Sequence, residues 1–220
     1  MNISRLEGEL LEAQARYNAM QHASLEQWRE AEAALLRAER AFSMAKGEET
    51  ALACEWKVRW EPNAPMPHVL ASEVQTYLMY VVQEDANWDG SSEKLSIALM
   101  NFIDCYAWKY GGPNVDVLSG HPLWGRGLEP NSAHVIAHSR WLAQEEKINQ
   151  VHPHYNPDRW KTWKHYLLSF RDETFECLAS DYQIELFRAS LGQVAQIAHM
   201  RLFANEKEEA RDDHSARIDR

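Results

Sequence analysis

Between Arg5 and Phe42 the apolar or small residues fall at Leu6, Leu10, Ala13, Tyr17, Met20, Ser24, Trp28, Ala31, Leu35, Ala38 and Phe42. The steps between them are threes and fours, with one repeated four around Ser24, which is a coiled-coil stripe with a single stutter. A helix striped on one face cannot bury that stripe alone, so the chain must pack it on another helix, its own or that of a second copy. The spacing predicts one amphipathic helix over residues 1–47, stopped by Lys46-Gly47, a cation in the last turn followed by glycine. Leu10, Tyr17 and Leu35 are its interaction candidates, and a homo-oligomer through this helix is the expectation that follows.

The rest of the chain is punctuated as mixed structure. Cys54, Trp56, Val58 and Trp60 alternate with charged residues and predict a half-buried strand. Pro62, Pro65 and Pro67 then carry the chain in extended form. Thr76 to Gln83 reads as a strand, with the end of a buried helix as the alternative, Trp88 to Glu93 as a polar turn, and Leu95 to Trp108 as a bulged central strand or a core helix. Glycines and prolines keep residues 111–130 irregular. Ser132 is read as the N-cap of a helix reaching Asn149. His165 to Phe170 and Thr174 to Ala179 flank Arg171-Asp172-Glu173 as a hairpin. From Tyr182 the residues Ile184, Phe187, Leu191, Val194, Ala198 and Leu202 return to helical period. The expected fold is therefore α+β: a small, mainly antiparallel sheet with a covering helix, and long amphipathic N- and C-terminal helices forming a helical hairpin or coiled-coil seam. The divisions are 1–47 for the N-terminal helix, 48–180 for the α+β core, 181–206 for the C-terminal helix and 207–220 for a charged tail.

Acids outnumber bases, 33 to 23, for a formal charge of −10. That balance opposes nucleic-acid binding and suits a protein partner with a basic surface. Cys54, Cys105 and Cys177 show no paired spacing, as in a reducing compartment. No signal peptide is apparent, and no run nears the roughly 18 apolar residues that span a bilayer. A cytoplasmic protein without a membrane partner is the expectation.

Several residues bear chemistry. His134 and His138, four apart on the expected helix, make half of a zinc site, but Val135 stands where a metalloprotease has glutamate. His152, His154 and His165 lie in or after a proline-stiffened loop, which is either a ligand site or a solvated connector. Trp160 and Trp163 interleave with Arg159, Lys161 and Lys164, either as a binding patch or as anchors of the hairpin. In the stretch from Gly120 to Leu128, glycines permit close backbone approach, so His121 and Arg126 would face a small anion unless the loop only packs Leu123, Trp124 and Leu128. Asp172, Glu173 and Glu176 gather acids at and beyond the hairpin turn. No motif assigns a catalytic role, a metal or a cofactor.

Trp60-Glu61-Pro62-Asn63-Ala64-Pro65, Gly112-Pro113-Asn114, the Gly120 to Leu128 stretch, Ser139-Arg140-Trp141, and His165-Tyr166 with Phe170, Asp172, Thr174, Phe175, Glu176 and Cys177 resemble, over residues 56–179, a group of small bacterial α+β proteins. That group has no established activity, so the resemblance implies no site roles. The leading functional expectation is a non-enzymatic interaction protein that binds or inhibits a macromolecular partner, of immunity, counter-defence or regulatory type. The rival is an enzyme or anion sensor in which His121, Arg126, His152, His154, His165 and Asp172 converge on one pocket.

Overall fold

The structure, a computed structural model, describes residues 2–73, 75–83 and 95–218, with side chains as far as residue 204. Helices α1 (Ile3–Asn18) and α2 (Leu25–Ala45) are separated by a 3-10 turn (Ala19–His22) and followed by strands β1 (Thr50–Ala53), β2 (His68–Ala71), β3 (Thr76–Val81), β4 (Ser96–Ile103) and β5 (Ala107–Gly111). A second 3-10 turn (Val115–Gly120) leads to β6 (Ala133–Ala137), α3 (Arg140–Asn149), α4 (Pro157–Trp160), β7 (Lys164–Ser169), β8 (Thr174–Ala179), β9 (Asp181–Arg188) and α5 (Leu191–Ile218). The class is α+β, with two antiparallel sheets in the orders β1-β6-β7-β8-β5 and β2-β3-β4-β9. The chain forms two compact units, Met1–Glu55 with Gly111–Glu176, and Trp56–Tyr110 with Cys177–Arg220.

In the first unit the expected single N-terminal helix is a pair. Ser24 caps α2 through a capping box: its hydroxyl accepts from Gln27 N (3.3 Å), and Gln27 Oε1 accepts from Ser24 N (3.0 Å). Satisfying those orphan amides ends one helix and starts another at the place where the stripe stuttered. Helix α1 packs back on α2, with Tyr17 and Trp28 rings 5.9 Å apart near the turn. The row Ala31, Leu35, Glu39 and Ser43 of α2 is buried. A second correction concerns Ser132. Residues 133–137 form β6, paired antiparallel with β1 and β7, and the helix starts later under Ser139, whose Oγ accepts from Leu142 N (3.1 Å). β-branched Val135 and Ile136 favour the strand, and His138 reverses the chain with φ of 53°. His134 and His138 therefore share no helix face. The expected hairpin is present as β7 and β8, closed by Phe170 N donating to Glu173 O (2.8 Å).

In the second unit β4 lies between β3 and β9, with Leu78 opposite Met100 and Met100 opposite Ile184. β3 is buried throughout, which is why its sequence shows no alternation. Val194, Ala198 and Leu202 of α5 cover Tyr77, Met79, Val81, Ile97 and Leu99. Helix α5 begins at Leu191, not Tyr182. Residues Asp181–Arg188 alternate in burial as an edge strand, and Ile184 and Phe187 belong to it. The stripes of α1 and α5 are each met within their own unit. The backbone of the charged tail continues α5 to Ile218, and its side chains lie outside the described residues.

The strand expected over Cys54–Trp60 is corrected as well. Burial does alternate there, as in any extended segment, but the ladder lies earlier, at β1, and only Trp60 bridges, to Val82. The turn expected at Trp88–Glu93 falls outside the described residues. Cys105 and Cys177, distant in sequence, hydrogen-bond to each other as free thiols, which holds Cys105 below the usual thiol range.

Candidate functional site

Helix α2 meets the loop after the second 3-10 turn through Arg40. Its Nε donates to Ala51 O (3.0 Å), and its Nη2 donates to Gly127 O (2.9 Å) and Glu129 Oε2 (2.9 Å). Gly127 has φ of 87°, and a Cβ there would overlap Arg40 Cγ and lie 2.6 Å from Ala51 O. Only glycine admits this clamp. One residue earlier in α2, Glu39 is only 8% exposed, and its Oε2 accepts from Gly127 N (3.2 Å). The same short loop thus receives a cation and an anion from adjacent helix positions.

Beside the clamp is a cavity of about 120 Å³. Gln14 and Tyr17 of α1, Glu32, Leu35, Leu36 and Glu39 of α2, and the loop residues Trp124, Gly125, Leu128, Glu129 and Pro130 line it. Glu32, Leu35, Leu36 and Glu39 reach it together because positions separated by three, four and seven share a helix face. Leu128 is also anchored below, in a cluster with Ala51, Leu118, Leu123, Ile136 and Leu167. Trp124 is 48% exposed and forms part of the wall.

Three carboxylates give this cavity its sign. Burial pushes Glu39 above the usual carboxylate range, against the Gly127 amide and Arg40, and Glu129 adds repulsion. Burial and then Glu129 do the same to Glu32, which among the described residues accepts no hydrogen bond. Burial and the Glu32 charge raise Tyr17. Glu129 goes the other way: burial opposes its ionisation, but His134 and Arg40 outweigh it. His134 itself is fully buried, its Nε2 accepting from Glu129 N (3.2 Å). A site with one neutralised and two unneutralised acids, walled by Tyr17, Trp124 and leucines, is suited to a small organic cation.

A second constellation in this unit joins the start of α3 to β7 and β8. Ser139 Oγ is 2.8 Å from His165 Nδ1, and His165 Nε2 is 2.8 Å from Glu176 Oε2. Trp141 meets the imidazole edge-on at 5.2 Å between centroids.

The expected site residues are distributed otherwise than the sequence suggested. His121 Nδ1 accepts from Leu123 N (3.1 Å), and Arg126 faces Glu48 at 3.6 Å, so neither lines the cavity. Their loop does build it, with the opposite charge preference. His152 and His154 are exposed, the former's Nδ1 accepting from the latter's N (3.1 Å). Asp172 is exposed in the hairpin turn, while His165 is buried with Ser139 and Glu176. Trp160 and Trp163 are buried edge-to-face at 4.5 Å, with Arg159 over Trp163, so they anchor structure. Leu35 is buried, Leu10 and Tyr17 are half-buried, and Tyr17 lines the cavity.

Glu39 and Arg40 escaped the sequence expectations because acids and bases between stripe positions look solvated, whereas Gly127 lies in the stretch already expected to allow close backbone approach. The available signal was the Ser24 to Gln27 capping pattern, which implies a helical pair. No protein-family model matches the chain, and neither a curated protein nor a solved structure matches it.

Proposed function

We propose that the chain is an interaction protein whose first unit receives a basic side chain, the ammonium of lysine or the guanidinium of arginine, from a protein partner. The observation that carries this reading is the cavity containing Glu32 and Glu39. Burial pushes both carboxyls above their usual range, Glu129 adds repulsion, and the nearby Arg40 and Arg29 do not outweigh it, so a further cation bound between them would relieve that cost. The volume supports one side-chain end, being well under the roughly 300–1,000 Å³ of drug-sized sites. The acidic chain as a whole favours encounter with a basic partner. The rival reading, an enzyme or anion sensor with His121, Arg126, His152, His154, His165 and Asp172 in one pocket, has less support, since Arg126 faces Glu48, His152, His154 and Asp172 are exposed, and His165 is buried with Ser139 and Glu176.

Calorimetric titration with butylammonium and butylguanidinium tests the site. Saturable binding that weakens at least tenfold in a Glu32→Gln/Glu39→Gln variant supports it. No binding, or binding indifferent to those substitutions, removes it. Because the cation favours the ionised acids, affinity should fall as pH drops through their raised pKa values.

A cytoplasmic setting and a homo-oligomer belong to the same proposal. Among the described residues no helix is long and apolar enough to cross a membrane. Self-association is assigned to the outer groove between α1 and α2, where Ala13, Ala34, Ala38 and Ala41 lie between acidic Glu12 and basic Arg37. The charged lining, Glu9, Glu12, Arg16 and Arg37, carries both signs, so a second copy can meet it with opposite charges. A concentration-independent monomer mass in light scattering would remove this part alone.

A further inference from the structure

Ser139 occupies a sharp strand-to-helix turn. Strand β6 ends at Ala137, His138 takes a left-handed φ of 53°, and Ser139 opens the ten-residue helix α3. A carboxylate only accepts hydrogen bonds, so the 2.8 Å contact to Glu176 assigns the ring proton of His165 to Nε2. Nδ1 then presents a lone pair, and the Ser139 hydroxyl, 2.8 Å away, donates to it. The same oxygen accepts from Leu142 N at 3.1 Å and so sits at the positive end of a helix. The first amide of α3 is taken by Glu49, since Arg140 N donates to its Oε1 at 2.6 Å.

Capping a helix requires only an acceptor at this position, and a serine facing water meets that need. It does not require a buried imidazole aligned on the hydroxyl proton, nor a carboxylate holding the far side of that imidazole. Both are present, with Trp141 fixing the plane of the ring. A hydroxyl, a base within hydrogen-bond reach and a group orienting the base are the elements of an activated oxygen nucleophile. Ser139 is buried, with 8% of the residue's surface exposed.

We propose that Ser139 is a nucleophile toward activated esters and phosphoryl electrophiles, with His165 as general base and Glu176 as positioning residue. Ser139 Oγ attacks the carbonyl carbon of an aryl ester and its proton passes to His165 Nδ1. The bond from that carbon to the aryloxy oxygen then breaks, and the leaving oxygen takes the proton from Nδ1, giving the free phenol and an acyl ester on Ser139. Water repeats the exchange: it loses a proton to Nδ1, attacks the acyl carbon, and releases a carboxylic acid while Oγ recovers its proton. The Leu142 amide, already directed at Oγ, stabilises negative charge on that oxygen as the acyl–serine bond breaks.

An alkyl fluorophosphonate tests this directly, since Oγ displaces fluoride from phosphorus and leaves a stable adduct. Intact mass and peptide mapping of the full chain should show one phosphonyl group on Ser139. Labelling should vanish in Ser139→Ala, fall at least a hundredfold in His165→Gln, and fall about tenfold in Glu176→Gln, with circular dichroism showing each variant folded. Glu176→Asp should restore part of the rate, which a purely structural role for the carboxylate would not produce. If Ser139→Ala fails to fold, mapping of the wild-type adduct and the His165→Gln rate decide the matter. No adduct on Ser139, or an undiminished rate in folded His165→Gln, overturns the proposal.

Discussion

Glu39 and Glu176 are acids of the same unit that the chain answers in different ways. Glu176 is met by an imidazole whose second nitrogen is met in turn by a serine. Glu39 receives one backbone amide, and it lines a cavity together with two more carboxylates. The first arrangement is complete within the protein, so its chemistry concerns which proton moves along it. The second is electrostatically incomplete, so its chemistry concerns what enters. Replacing Glu39 by glutamine would keep the amide contact and shed the burial cost. A fold under selection for stability alone would gain from that change, which makes the charge itself the informative feature.

The largest test of the contrast is Gly127→Ala. The new Cβ collides with Arg40 and Ala51 and the backbone is held at positive φ, so the loss should be about 3 kcal/mol or more. Thermal unfolding should shift down by at least about 6 °C, on the scale of roughly 2–4 °C per kcal/mol for a chain of this size. An unchanged melting temperature would mean that the Arg40 clamp does not hold the loop.

Ser139→Ala should cost less, about 1–3 kcal/mol, since it removes a cap and leaves His165 Nδ1 without its partner. Denaturant titration measures the loss, and Ser139→Thr should recover most of it. Equal stability of the serine and alanine forms would deny the relay a structural contribution.

Glu39→Gln is expected to change stability in the other direction. A carboxyl whose folded pKa is raised binds its proton more tightly in the folded state. The wild type is therefore penalised at neutral pH, and that penalty fades as pH falls through the raised folded value. The variant should melt about 1–3 °C higher at pH 7, discounted for solvent reaching the cavity, and show no advantage below the ordinary carboxylate pKa. A lower melting temperature at pH 7 would show that the ionised form is already compensated. Trp124→Ala should have the smallest effect on stability, within about 0.5 kcal/mol for a half-exposed side chain, while weakening butylguanidinium binding several-fold by removing a wall and a π face. Equal affinity would take the tryptophan out of the site.

The legible parts of the sequence were those with a local cause. The β7–β8 hairpin followed from two apolar runs around a charged turn, and Val194, Ala198 and Leu202 from a helical period. The glycine-rich stretch contributes Trp124, Gly125 and Leu128 to the cavity, but the anion preference expected from it rested on His121 and Arg126, which do not line that cavity. Misreadings arose where one pattern serves two structures. Cys54 to Trp60 alternates because an extended chain alternates with or without a ladder. Tyr182 to Phe187 fits a helical period by coincidence with an edge strand that pairs on one side. The relay was out of reach because Ser139, at the cap of α3, meets His165 of β7 and Glu176 of β8 only through the packing of the folded sheet, which no spacing along the chain encodes.

The tracing of the chain sets a schedule for its synthesis. Residues 1–55 and 111–176 of the first unit are separated by a long excursion through the second. The α1–α2 pair leaves the ribosome carrying Leu35, Glu39 and Arg40, but the loop that covers them arrives about 80 residues later, and β7 and the start of β8 later still. At about 5–20 residues per second that wait lasts roughly 4–16 s. Through this interval a nascent helical pair presents an uncovered apolar row interrupted by charges. Those charges, whatever they later bind, keep the waiting surface from being a continuous sticky stripe.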